Sequence, residues 1–410
     1  MGVALSMASG PAGGAPGDTT LLPWRGGAKA AVSITMDDGY VSQRVFMRRL
    51  LEDRGFRGTF YVVTSWLDDE DQWEAWRPLS DGGHEIGSHS VTHVALDALA
   101  PEALAQEVQT SREAIVEHFG ATQGRSLAFP FSKTSPAAVA AVAAAGYQAA
   151  RTGLSDLNPP SPDDLFLVRS LHPLSDTEAT EIQGWIDLTL DEGAWLVVGV
   201  HGLRDPDEPL SPTQEGWEPV PVAVYAAALD HLAALGPQVW VAPLVEVADY
   251  VRARDAALVE PLPGPPGEIH LRVTGQDAPV PLEVEVEVPS QWEVVRLEVA
   301  DDMRLVSPSG QDRRVVRFSA TPPAEVAIIP VQVTAPSPVG ADTQGDGPSA
   351  PAPGPDAGTA NTPGPGAPTC AAGDCGGAPP AGCAATPPVG VAPAAIALLA
   401  AWLGLRRRRR

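Results

Sequence analysis

Cysteine is nearly absent: the 410 residues contain three, Cys370, Cys375 and Cys383, all in a Pro/Gly/Ala-rich stretch near the C-terminus. Neither a disulfide framework nor a thiolate metal site can therefore support the fold upstream. Positive charge is scarce as well. The formal net charge is −24, and five of the arginines are the last five residues, so the rest of the chain is more acidic still. Such a surface repels a phosphate backbone, which excludes nucleic acid as a partner. The N-terminus lacks the charged region that opens a secretory signal, although residues 3–16 read like the end of an apolar core followed by small residues. Residues 1–25 are accordingly a leader, either a plain disordered start or a signal peptide whose first part lies upstream. Large apolar residues are missing from 335–388, so that stretch cannot bury enough surface to fold and reads as a disordered linker.

What is present falls into blocks. Over 30–255, short β-type runs alternate with helical patterns, the signature of βα units around a parallel sheet. Strands are expected at 30–36 (AAVSITM), 58–64, 194–200 (AWLVVGV) and 238–242. Leu104, Val108, Ile115 and Phe119 recur at helical spacing between Pro101 and Gly120. Ser135 and Pro136 open an alanine-rich helix that Gly146 closes, and another spans 221–235. After PLPGPPG (261–267) the period changes to two, as in EIHLRVTG and PLEVEVEVP, which predicts a small antiparallel β-sandwich-like module over 266–334. No cluster of aromatics stands out there beyond Trp292, so a spacer is favoured over a glycan-binding role. Residues 389–405 (VGVAPAAIALLAAWLGL) are uncharged and run into Arg406–Arg410. As a helix they would rise about 26 Å, at the short end for spanning a bilayer. The expected class is α/β: a barrel-like domain over 26–256, then the β-module, the linker and a short apolar helix.

The chemistry concentrates in two short motifs. Asp37 and Asp38 follow the first strand, in Thr35-Met36-Asp37-Asp38-Gly39, where a strand of such a sheet delivers side chains to the active face. Consecutive residues at a strand end point in different directions, so one carboxylate can bind a metal while the other takes a proton. By itself the pair reads more readily as an Asp-Asp-Gly surface turn. The second motif, Gly87-Ser88-His89-Ser90-Val91-Thr92-His93, removes that reading. Two histidines four apart on a helical turn would share one face, suited to one zinc-type ion. A zinc-protease helix does not fit, because His84 and His89 stand five apart with Gly87 between them.

Two carboxylates followed roughly fifty residues later by this histidine pair resemble the polysaccharide deacetylase family, the NodB homology domain of carbohydrate esterase family four, over residues 30–255. The resemblance implies a distorted (β/α) barrel. It implies Asp37 as general base and Asp38, His89 and His93 as ligands of one divalent ion, zinc in the first place with cobalt or nickel as alternatives. The family's third motif, Arg-x-Pro-Tyr, is matched by Ala128-Phe129-Pro130-Phe131, with alanine in the arginine position. Arg151 is the candidate for the missing cation that orients Asp37, and Arg125 the weaker one. The Phe131 backbone N–H would serve the oxyanion. His201, at the end of AWLVVGV, would protonate the leaving amine, and Gly199 stands where the family has leucine. The fourth motif, an Asp with a downstream Trp, has no match; Asp156 lies in the right region without the Trp. His118, His172, His231 and His270 are set aside as structural.

The activity implied is removal of N-acetyl groups from an amino-sugar polymer by a monomeric enzyme. Two alternatives stay open: a surface glycan-binding module weakened by Ala128, or a deacetylase acting on a non-sugar amide or an O-acetyl ester. Cys383, the apolar run and the arginine cluster together resemble the MYXO-CTERM sorting signal, which implies export and anchoring at the cell surface or outer membrane through the tail.

Overall fold

The computed structural model describes residues 15–331 except 69, 276–279 and 312. These residues belong to one compact unit, and a second unit, Pro338–Arg410, lies outside the described residues. So do the expected linker over 335–388, the apolar run at 389–405 and Cys383. Among the described residues no helix is long and apolar enough to cross a membrane.

The first strand of the barrel, Ala30–Met36, is buried throughout, as a run apolar on both faces demands of a parallel strand covered on both sides. It pairs in parallel with Trp195–Val200 on one side. Its other side is shared: Val239–Val241 pairs with residues 30–32 and Thr59–Val62 with residues 35–36. The sheet continues in parallel through Glu85–Ser88, Ser126–Ala128 and Ala149–Arg151. The segment 168–171 then closes the ring by single bridges, Val168 to Arg151 and Leu171 to Val198. The result is the distorted barrel expected. Helices Pro101–Phe119, Pro136–Ala144, Ala179–Glu192, Val222–Ala234 and Leu244–Ala256 cover it. Ser135 caps its helix as expected, its side chain accepting from the Ala138 N–H. Inside the barrel, Glu85 is buried and accepts from Thr59 and Ser126 hydroxyls, so its polar floor is satisfied.

Two boundaries shift. Residues 1–25 were expected as a leader, yet Thr19–Leu21 pairs antiparallel with Leu282–Glu287 of the β-module. Trp24 is fully buried, its indole N–H donating to the Gly193 carbonyl. Thr-Thr-Leu-Leu, with Trp24 just past Pro23, offers a β-prone, apolar segment, which an open sheet edge recruits. The module also begins before 266, because Leu258–Pro261 pairs with Ile269–Thr274. Two antiparallel sheets, of three and five strands, enclose a core around Val284, Val286, Leu297, Phe318 and Ile328. Trp292 packs into that core and offers no exposed platform. The module joins the barrel side through Tyr250, whose hydroxyl donates to Leu22 and accepts from the Glu283 N–H.

Candidate active site

The first strand ends with its carboxylates at the barrel mouth. Asp37 stays in sheet register, its N–H donating to Val200 O at 3.0 Å. Asp38 then turns into the left-handed region at φ 78°, and Gly39 follows at φ 87°. An L-residue adopts that conformation at a cost, which aspartate tolerates better than most, and the glycine that follows carries none. The turn swings the two carboxylates apart, so adjacent residues serve separate tasks. Buried Gln43, which the sequence did not single out, ties the carbonyls of Asp37 and His201 together through its amide N–H group.

The two histidines do not stand on a helical turn, contrary to expectation. Residues 89–95 form a loop leaving the strand Glu85–Ser88, with Ser90 at φ 65° and His93 at φ 58°. Local hydrogen bonds override helix here: Ser90 Oγ accepts from the His93 N–H, and Ser88 Oγ from the Ser90 N–H. Glu107 of the helix Pro101–Phe119 clamps the loop, accepting from the Val91 and Thr92 N–H groups at 2.9 and 3.0 Å and from the Thr92 hydroxyl. Even so, the loop brings the rings together, with centroids 4.9 Å apart. His89 Nε2 and His93 Nε2 lie 3.4 and 3.3 Å from Asp38 Oδ1.

That Oδ1 is buried and has no hydrogen-bond partner. An orphaned carboxylate oxygen facing two imidazole nitrogens is costly unless a cation fills the gap. Burial, then the neighbouring Asp37, pushes the Asp38 carboxyl up to about 6. Burial pulls His89 down to about 4 and also lowers His93, so both imidazoles are neutral and offer lone pairs. His89 Nδ1 meets Ala128 O at 2.8 Å, which places the ring proton there and leaves Nε2 free for a ligand. The donor atoms of Asp38, His89 and His93 lie within 4.8 Å of one another, and two nitrogens and an oxygen with open positions fit a zinc-type ion.

Arg151 reaches Asp37. It ends the strand Ala149–Arg151, and its register partner is Ala128. The cation missing from position 128 thus enters at the same level from the next strand. Its guanidinium donates to Asp37 Oδ1 at 2.5 Å and lies over the Tyr61 ring. Burial opposes the Asp37 charge, but neighbouring groups, the Arg151 guanidinium first among them, outweigh it and hold the carboxyl well below the usual range. Arg125, the other candidate, pairs with Asp249 instead. His201 follows the strand Trp195–Val200, with Nε2 3.8 Å from Asp37 Oδ2. Asp156 pairs with Arg169. His172, read from the sequence as structural, is half-buried beside Arg151, with Nε2 2.9 Å from NH1. A lone histidine in a loop gives no sequence signal for this.

Around these groups lies a cavity of about 670 Å³. Phe131, at φ 57° in the turn Pro130–Ser132, sets its ring 4.5 Å from His93 and is 61% exposed. Trp66, 48% exposed, flanks the same end, and Trp217, 54% exposed, meets His201 edge-on at the other. Large exposed rings at a charged cavity suit a ligand with both apolar faces and polar edges.

Residues 25–150 match the family model described as Polysaccharide deacetylase. A gellan lyase from a Bacillus species is 30% identical over 115 residues, which are 28% of this chain and 4% of that protein, so the chain corresponds to only a small part of its relative. Among solved structures, similarity extends to a family 4 acetyl xylan esterase from Clostridium thermocellum in complex with cobalt. The identity is 18% and the TM-score 0.37, covering 53% of this chain and 89% of that one. The Xyl-CE4 domain of a multidomain xylanase from the hindgut metagenome of Trinervitermes trinervoides shows 14% identity and a TM-score of 0.38, covering 54% and 90%.

Proposed function

We propose that this protein is a metal-dependent hydrolase that removes N-acetyl groups from an amino-sugar polymer. The observation that carries the proposal is the convergence of the Asp38–His89–His93 trio, with its orphaned Asp38 oxygen, on an ionised Asp37 and His201 at one aromatic-flanked cavity. The match of residues 25–150 to the deacetylase family model supports the same reading. One divalent ion held by Asp38, His89 and His93 would supply Lewis acidity toward the acetyl carbonyl and toward water.

The chain's own groups do the rest. Asp37, kept ionised and oriented by Arg151, accepts the proton of the attacking water. The Phe131 N–H donates to the developing oxyanion. His201, half-buried and beside Asp37, returns a proton to the departing amine. Acetate and a free amino sugar result. The reading of a weakened glycan-binding module rested on Ala128, and Arg151 now supplies a cation against Asp37.

Zinc-loaded protein incubated with N-acetylglucosamine oligomers should release acetate and expose one amine per acetate. Protein that binds the oligomers and releases nothing would overturn the proposal, and release only from O-acetylated sugars would move the activity to esters. Trp217→Ala should raise KM for an oligomer about tenfold, a loss of roughly 1.4 kcal/mol of stacking, with kcat and folding unchanged because the ring is largely exposed. An unchanged KM would show that the sugar does not reach this end of the cavity. Export and anchoring at the cell surface through the tail remain part of the proposal, and fractionation of cells making the full chain tests them.

A further inference from the structure

The Arg151 guanidinium is poorly anchored by its own stem, since its Nε is buried without a hydrogen-bond partner. Its direction therefore depends on what NH1 and NH2 meet. NH2 meets Asp37, while NH1 donates to His172 Nε2 at 2.9 Å and to Ser170 Oγ at 3.1 Å. A guanidinium N–H can only donate, so in this contact His172 Nε2 is the acceptor; Ser170 Oγ, whose own hydroxyl donates to the Thr152 carbonyl, stands 2.8 Å from the same nitrogen. Burial first, then the adjacent Arg151, pulls His172 down to about 3, which keeps the imidazole a neutral acceptor.

Gly199 makes room for this arrangement. A Cβ at 199 would collide with the His172 Cε1 atom and would stand 2.8 Å from His172 Nδ1 and 2.9 Å from Arg151 NH1. Contacts that close leave no space for a side chain, so the glycine is required by crowding and not by its dihedral angles. Asp37, His172 and His201 also offer donor atoms within 4.8 Å of one another, as a second metal site would. Arg151 already donates into the Asp37 and His172 lone pairs, which fills that place with a cation of the protein's own.

Ala128, Arg151, His172 and Gly199 thus form one linked arrangement drawn from different strands and the closing segment. We propose that His172 is a positioning residue of the reaction, holding the Arg151 guanidinium against Asp37 through a pocket that Gly199 opens. The proposal rests on the deacetylase reading for the reaction itself, while the placement of Arg151 is independent of it.

The test compares His172→Leu with His172→Gln in the full chain, by crystal structure, zinc content and steady-state kinetics. Leucine fills the volume without an acceptor, and the glutamine oxygen can accept from NH1. His172→Leu should turn the guanidinium away from Asp37 and lower kcat roughly tenfold or more, with KM and zinc content unchanged. His172→Gln should restore the guanidinium position and most of kcat. An unmoved guanidinium in His172→Leu, an unchanged kcat, or a glutamine variant as poor as the leucine one overturns the proposal. If the wild type itself releases no acetate, the deacetylase reading falls, and the guanidinium position in the two variants still decides the role of His172.

Discussion

Arg151→Met should lower kcat on an N-acetylated oligomer about 1000-fold, and Arg151→Lys about 100-fold, with zinc content unchanged in both. The two residues of this ion pair are each almost fully buried, so removing one leaves the other as an uncompensated charge, at a cost of about 3–5 kcal/mol. Lysine preserves the charge and loses the fork, which separates electrostatics from orientation. The pH dependence follows from the same balance. Burial pushes the Asp37 carboxyl up, and Arg151 is the largest influence holding it down. In the wild type Asp37 is ionised at every working pH. Its pairing stabilises the fold above the ordinary carboxylate pKa and is lost only as pH falls toward the depressed value. In Arg151→Met, burial prevails, and a new acid limb should enter the kcat profile from below toward neutral pH. A double-mutant cycle with Asp37→Asn checks the assignment: on the Asn background Arg151→Met should cost little more. Full additivity of the two losses would show that Arg151 acts elsewhere.

That Arg151 had to be sought at all shows where the sequence stopped being legible. The strand Ala30–Met36 was readable because a seven-residue run with β-branched Val32, Ile34 and Thr35, buried on both faces, leaves no competing pattern. Glu85–Ser88, Ser126–Ala128 and Ala149–Arg151 were not, since three or four residues carry no period and become strands only because a parallel neighbour offers its edge. The register of the last two is what sets Arg151 level with Ala128, and register is a tertiary property. The His89–His93 spacing gave the right pair through the wrong geometry. Ser88, Ser90 and Glu107 bond the loop backbone in place of a helix, yet the two imidazoles still converge. His172 was out of reach for a similar reason. Its position depends on the segment 168–171 bridging Arg151 to Val198, contacts distant in sequence and without a local signature.

Asp38→Asn and His89→Ala should each abolish metal-dependent acetate release, a fall of about 10⁴-fold or more. Chelation should silence the wild type equally, and added zinc should restore the wild type alone. The stability of the stripped protein is the sharper measure. Asp38 keeps a buried, unpartnered oxygen beside a second carboxylate, and its pKa rises from 3.8 to about 6. A carboxyl whose folded pKa lies above its unfolded value holds its proton more tightly in the fold. The cost of ionising it is absent below about pH 4, grows between about 4 and 6, and is complete above that. Two pKa units amount to about 3 kcal/mol. Asparagine keeps the shape and removes the charge, so metal-stripped Asp38→Asn should melt several degrees above stripped wild type near neutral pH, and the gain should vanish near pH 4. Zinc should then raise the wild type by mass action and leave the variant where it was. A stripped variant less stable than the wild type at neutral pH would mean that the Asp38 charge is already compensated, and the trio would not be a site shaped by a cation.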